Sequence, residues 1–134
     1  NLFMEPIILE QTDRLPGVIL NKAAGKFELK GTSFPEDSRV FYNPILDWLA
    51  EYEKSPNDFT LFIFKMEYFN SSSSLMILEI LHSLDRIFLS GKKVKVYWFY
   101  LAPDIDMFDA GKEYATMVSV PFTFESIAEE SELK

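Results

Sequence analysis

The chain has no cysteine among its 134 residues. That excludes disulfide staples, thiolate-held zinc, iron–sulfur ligation and a cysteine nucleophile, and it fits a reducing, cytoplasmic setting. A single histidine, His82, argues against most multi-histidine metal sites. Basic residues are in deficit: 13 Lys and Arg against 21 Asp and Glu leave a formal net charge of −8. A protein that neutralises a phosphate backbone needs the opposite sign, so nucleic acid is not an expected partner. Long apolar runs are missing, and the stretch Asn1–Gln11 lacks the basic start of a signal peptide. Neither a membrane span nor secretion is therefore expected. The sequence contains no GxGxxG, GxxxxGK[ST], HExxH or GxSxG pattern. No cofactor or metal is called for by motif.

What is present is a folding chain. Hydrophobic residues make up 48% and aromatics 16%, with 13 Phe. This is too apolar for disorder, and the length suits one domain that buries about two-thirds of its unfolded surface. Glu5–Gln11, Gly17–Asn21 and Lys26–Gly31 read as strands. Gly25 is free to take φ > 0 in a hairpin between the last two. Phe41, Ile45, Trp48, Leu49 and Tyr52 recur at helical spacing, with Asp37 or Ser38 available as a cap. Pro44 predicts either a helix start near Asn43 or a kink. Phe59–Tyr68 reads as a buried strand, Asn70–Ser74 as a loop, and Leu75–Leu89 as a helix. Lys93–Leu101 follows as a strand, with Trp98 in the core. A helix over Asp104–Met117, weakened by Gly111, leads to an extended Val118–Phe124 with Pro121 at an edge. The fold class is α/β: a mixed sheet with an N-terminal antiparallel hairpin, parallel core strands and about three helices. The domain is expected over residues 1–124, with an acidic tail over 125–134 that is frayed or a short solvated helix.

Few residues suggest catalysis. His82 lies within a helix, where a structural or solvated role is the ordinary one. Asp104, Asp106 and Asp109 cluster at a helix start, where capping and dipole complementation account for them without a ligand. The run Ser71-Ser72-Ser73-Ser74 is more informative. A cap needs one side chain, whereas four hydroxyls at a helix N-terminus also suit a phosphate, which backbone N–H groups and the helix dipole favour. Phosphorylation there would place about −1.5 to −2 charges on a neutral loop. By residues alone, any of the four could be the acceptor. A pocket for a small molecule or nucleotide beside Ser71 is the alternative use of the same crevice.

Six stretches carry a family resemblance: Gly25-Lys26-Phe27-Glu28-Leu29-Lys30-Gly31, Ser33-Phe34-Pro35-Glu36-Asp37, Phe41-Tyr42-Asn43-Pro44, Tyr68-Phe69-Asn70-Ser71-Ser72-Ser73, Val96-Tyr97-Trp98-Phe99-Tyr100 and Gly111-Lys112-Glu113. In this order they resemble the SiaC family of bacterial regulatory phosphoproteins. The resemblance implies a STAS-like fold, similar to anti-sigma-factor antagonists, and a non-enzymatic role in partner switching. It implies a Ser/Thr protein kinase of the anti-sigma type, a PP2C-type phosphatase, and an effector bound by the unphosphorylated form. In that family the effector is a diguanylate cyclase, whose activation raises cyclic di-GMP and promotes biofilm formation. The family's acceptor is the Thr after the Asn of the fourth stretch, and the matching residue is Ser71. Phe34, Pro35, Glu36, Tyr68, Phe69 and Asn70 would flank the docking surface.

Overall fold

Strand order in space follows strand order along the chain. The computed structural model describes residues 3–128. It runs β1 (Ile7–Leu9), β2 (Gly17–Asn21), β3 (Lys26–Ser33), α1 (Ser38–Tyr52), β4 (Phe59–Phe69), α2 (Ser71–Leu89), β5 (Lys93–Leu101), α3 (Ile105–Met117) and β6 (Phe122–Ile127). The sheet order is β1-β2-β3-β4-β5-β6. The first two pairings are antiparallel and the last three parallel. The mixed sheet, the hairpin and the three helices agree with the sequence expectation, and Gly25 turns the hairpin at φ 66°. Outside the hairpin, the three-residue β1 pairs with β2 and forms the edge of the sheet.

Each parallel connection is a helix, and all three helices pack on one face. The core contains Val18, Leu20, Phe27, Leu29, Phe62, Phe64, Val94, Val96 and Trp98 from the strands, together with residues of α1, α2 and α3. These strand positions share one side of the pleat, since successive side chains point to opposite faces. Among the described residues, no helix covers the other face. α1 and α2 are also clasped directly, by a two-pronged pair from Arg86 to Glu53 at 2.9 Å for each bond.

The helix boundaries differ from expectation for local reasons. α1 begins at Ser38, capped by Asp37, and passes through Pro44 without ending. The N–H that Pro44 lacks would have met the carbonyl of Val40, an exposed residue, so water can serve that oxygen. α2 begins at Ser71, four residues earlier than its apolar spacing predicts. β6 runs to Ile127, so Glu125–Ile127, expected in the tail, finish the sheet beside β5. Ala128 follows, and residues 129–134 of the expected tail lie outside the described residues.

Gly111 is explained by Trp98. A Cβ at position 111 would fall 2.5 Å from Trp98 Cδ1 and Nε1. The indole sits there because its N–H donates to the Met107 carbonyl at 3.0 Å. In an unconstrained helix Gly→Ala stabilises by about 1 kcal/mol. Here Gly111→Ala is expected to destabilise by about 1–3 kcal/mol through overpacking, read as a lower urea midpoint.

Burial pushes the hydroxyl of Tyr42 up to about 12, against its bonds to Ser33 and Ser73. Burial also raises Tyr114 and Tyr52. Each therefore holds its proton more tightly folded than unfolded. Their stabilising contribution is complete below the unfolded tyrosine value of about 10 and is lost as pH rises through the folded values. Chemical denaturation from pH 9 to 12 is expected to give falling stability, with a shallower fall for Tyr42→Phe.

Candidate functional site

The C-terminal end of β3, the start of α1 and the start of α2 meet around one residue, Ser33. Its Oγ lies 2.6 Å from Tyr42 OH on α1 and 2.8 Å from Ser73 Oγ on α2. Its carbonyl accepts from Ser73 Oγ at 3.3 Å and from the Asn70 N–H at 3.1 Å. One proton assignment satisfies the set: Tyr42 donates to Ser33, Ser33 to Ser73, and Ser73 to the Ser33 carbonyl. Ser33, Tyr42 and Ser73 are all fully buried. This triangle fixes where α2 starts.

The four serines have different environments because they occupy the first turn of α2, not a loop. Asn70 is the cap, and its Oδ1 accepts from the Ser73 N–H at 2.9 Å. Ser73 points into the core. Ser72 pairs with Ser38 of α1 through their hydroxyls at 2.6 Å, joining the two helix starts. Ser74 donates its hydroxyl back to the Ser71 carbonyl at 2.6 Å. Ser71 is exposed at the first helical position, and its hydroxyl has no hydrogen-bond partner among the described residues. Of the four, it alone combines an accessible hydroxyl with freedom from neighbours, and the N-terminal N–H groups beside it favour negative charge.

The expected docking residues divide into two groups. Phe34 and Tyr68 stand side by side on the surface, 43% and 52% exposed, with ring centres 6.3 Å apart in an edge-on contact. Arg14 lies over the Phe34 ring at 4.9 Å, extending this ridge. Glu36 is exposed as well. Pro35, in contrast, is buried, Asn70 is occupied as the cap, and Phe69 packs against Trp98 and Tyr114. Farther along α2, from Ser74 onward, an open groove of about 320 Å³ separates α2 from α3. Phe69, Leu75, Leu78 and Met117 supply its apolar lining, and Glu113 its charge. Tyr114 closes the floor by donating its hydroxyl to the Ser74 carbonyl at 2.7 Å.

The other expected chemistry does not gather into a site. His82 is exposed on α2. Asp104 caps α3 through the Met107 N–H, while Asp106 and Asp109 are exposed on that helix. No group of three or more His, Asp or Glu side chains among the described residues is arranged to hold a metal ion. Sequence reasoning missed Arg14, the Ser38–Ser72 contact and the Ser33–Tyr42–Ser73 triangle. Ser33 and Tyr42 do lie inside resembling stretches, but nothing local indicates that their hydroxyls converge.

This geometry separates two substitutions one helical turn apart. Ser71→Asp puts a carboxylate at an exposed helix N-terminus and is expected to shift stability by no more than about 1 kcal/mol. Ser73→Asp buries a charge within the triangle and is expected to cost about 3 kcal/mol or more. Thermal unfolding of the two variants side by side checks both.

The profile for SiaC family regulatory phosphoproteins matches residues 9–127. An uncharacterized protein of Pseudomonas aeruginosa is 23% identical over 126 residues, covering 92% of this chain and 98% of that protein. The crystal structure of apo-SiaC from Pseudomonas aeruginosa superposes with a TM-score of 0.85 at 22% identity, over 92% of this chain and 100% of that one. SiaC crystallised in complex with diguanylate cyclase SiaD, which it activates, superposes with a TM-score of 0.84 at 21% identity, over 90% and 99% of the two chains. With the family profile matching nearly the whole domain, the chain belongs to the SiaC family of regulatory phosphoproteins.

Proposed function

We propose that this protein is a non-enzymatic partner-switching domain, reversibly phosphorylated on Ser71, whose unphosphorylated form binds and regulates an effector. The observation that carries the reading is the free, exposed hydroxyl of Ser71 at the first position of α2, three residues after Tyr68 of the ridge and three before Ser74 of the α2–α3 groove. A phosphate there adds about −1.5 to −2 charges within a few residues of both apolar surfaces. The helix itself tolerates the charge, so the effect falls on the partner, whose apolar side chains would have to dock beside a solvated dianion. The fold stays intact while the surface changes.

A diguanylate cyclase is the proposed effector, supported by the SiaC–SiaD complex among the structural relatives. A Ser/Thr kinase of the anti-sigma type and a PP2C-type phosphatase are the proposed writer and eraser. The alternative of a nucleotide in the crevice has less support, because no Lys or Arg lines the groove to meet a phosphate. Exposed Leu75 and Met117 at its rim suit the apolar side chains of a protein partner.

The test is phosphopeptide mapping of the protein from its own cells, combined with binding of the unmodified and Ser71→Asp chains to a diguanylate cyclase from the same cells. Phosphate on Ser71 is expected, with binding weakened on the order of tenfold or more by Ser71→Asp and retained by Ser71→Ala. Phosphate confined to Ser72 or Ser74 would move the switch to that residue. Equal binding by all forms would overturn it.

A further inference from the structure

The face of the sheet turned away from the helices carries a second surface, on the side to which Tyr68 of the ridge also projects. Parallel sheets are ordinarily covered on both faces, and here three parallel pairings have helices on one side only. One cross-strand row on the open side runs Ile19, Glu28, Ile63, Tyr97, Thr123. The next runs Lys30, Lys65, Phe99, Glu125. Ile63, Tyr97 and Phe99 are therefore adjacent and partly exposed, over the two central strands β4 and β5. Exposed Phe59 extends the apolar strip toward the start of β4.

The charges around this strip oppose the rest of the molecule. In a chain of net charge −8, Lys26, Lys30, Lys65, Lys93 and Lys95 all stand on this face. Lys65 lies over the Phe99 ring at 5.1 Å, and Lys95 over Tyr97 at 5.6 Å. Glu28 is turned toward Lys65 at 3.9 Å, Glu125 lies beside Phe99 in the second row, and Glu67 lies two residues beyond Lys65 on β4. Five lysines against Glu28, Glu67 and Glu125 leave the surround of the strip net positive, which is complementary to an apolar stripe bracketed by carboxylates. A helix about 10 Å wide covers two strands spaced about 4.8 Å apart, which matches the strip on β4 and β5.

We propose that this open face docks an acidic amphipathic helix of a partner protein, across the strip formed by Ile63, Tyr97 and Phe99 and bracketed by Lys30, Lys65 and Lys95. Ser71 lies at the start of a helix on the opposite face, so this contact does not respond to its charge. One partner can then remain attached while another is exchanged.

The probe is a synthetic helical peptide with a leucine stripe flanked by glutamates, titrated into the full chain and followed by side-chain and amide NMR. A second peptide carries lysines in place of the glutamates. Saturable binding of the acidic peptide, mapped to Ile63, Tyr97 and Phe99 and weakened by salt, supports the proposal. Lys30→Gln, Lys65→Gln and Lys95→Gln combined are expected to weaken it about tenfold or more, as is Phe99→Ala, and Ser71→Asp to change it less than about twofold. The lysine triple variant leaves the apolar surface intact and guards against misfolding of Phe99→Ala. No saturable binding, equal binding of the basic peptide, or shifts confined to the α2–α3 groove would overturn the proposal. So would self-association lost in Phe99→Ala, which identifies a second copy, or binding of phosphatidylglycerol vesicles in place of the peptide, which identifies a lipid surface. Binding seen only when Glu129, Glu130 and Glu132 are all changed to Gln would assign the face to the chain's own acidic end.

Discussion

Three buried hydroxyls, on Ser33, Tyr42 and Ser73, hold the end of a central strand against the starts of two helices. Buried polar groups are tolerated only when each has a partner, and removing one leaves the others exposed to a desolvation penalty of about 1–3 kcal/mol. The triangle therefore specifies one arrangement of β3, α1 and α2. Because Ser73 must point inward and Asn70 must cap the turn, Ser71 is left pointing outward. The accessibility of the one free hydroxyl in the serine run follows from the inaccessibility of its neighbour two residues on.

The same arrangement lets charge be placed at Ser71 without disturbing the fold. Negative charge at the first position of a helix is favourable, so the start of α2 can accept it without losing the turn. The surfaces near it, the Phe34–Tyr68 ridge and the groove under Leu75 and Met117, are apolar and exposed. A charge near them alters what can dock and leaves the core untouched. The sequential strand order adds a further consequence. Right-handed crossovers that always step to the same side place every helix on one face, and the other face keeps its lysines and aromatic rings at the surface.

Much of the fold was legible in the residues. Alternation and β-branched or aromatic runs located the strands, and helical spacing located three helices to within a few residues. The boundaries that slipped share a cause. α2 starts at Ser71 where the apolar repeat starts at Leu75, because its first turn is held by a cap and hydroxyl bonds, which leave no hydrophobic trace. α1 continues through Pro44 because the orphaned carbonyl lies on the wet side of the helix, which the sequence does not mark. β6 extends through Glu125 because an edge strand beside β5 can keep polar residues facing water.

The sequence by itself determined the fold class, the absence of cysteine and multi-histidine chemistry, and the segment that carries the candidate switch. It could not rank four adjacent serines, since the four are chemically identical and their local sequence is nearly so. Tertiary structure gave them different environments, by bringing Ser33 and Tyr42 to Ser73 and Ser38 to Ser72 from more than 30 residues away. It also decided that Gly111 is required, by placing Trp98 where a methyl group would stand. Both are contacts between distant parts of the chain. Periodicity records which face of an element is buried, and it carries no information about which side chain on another element will meet it there.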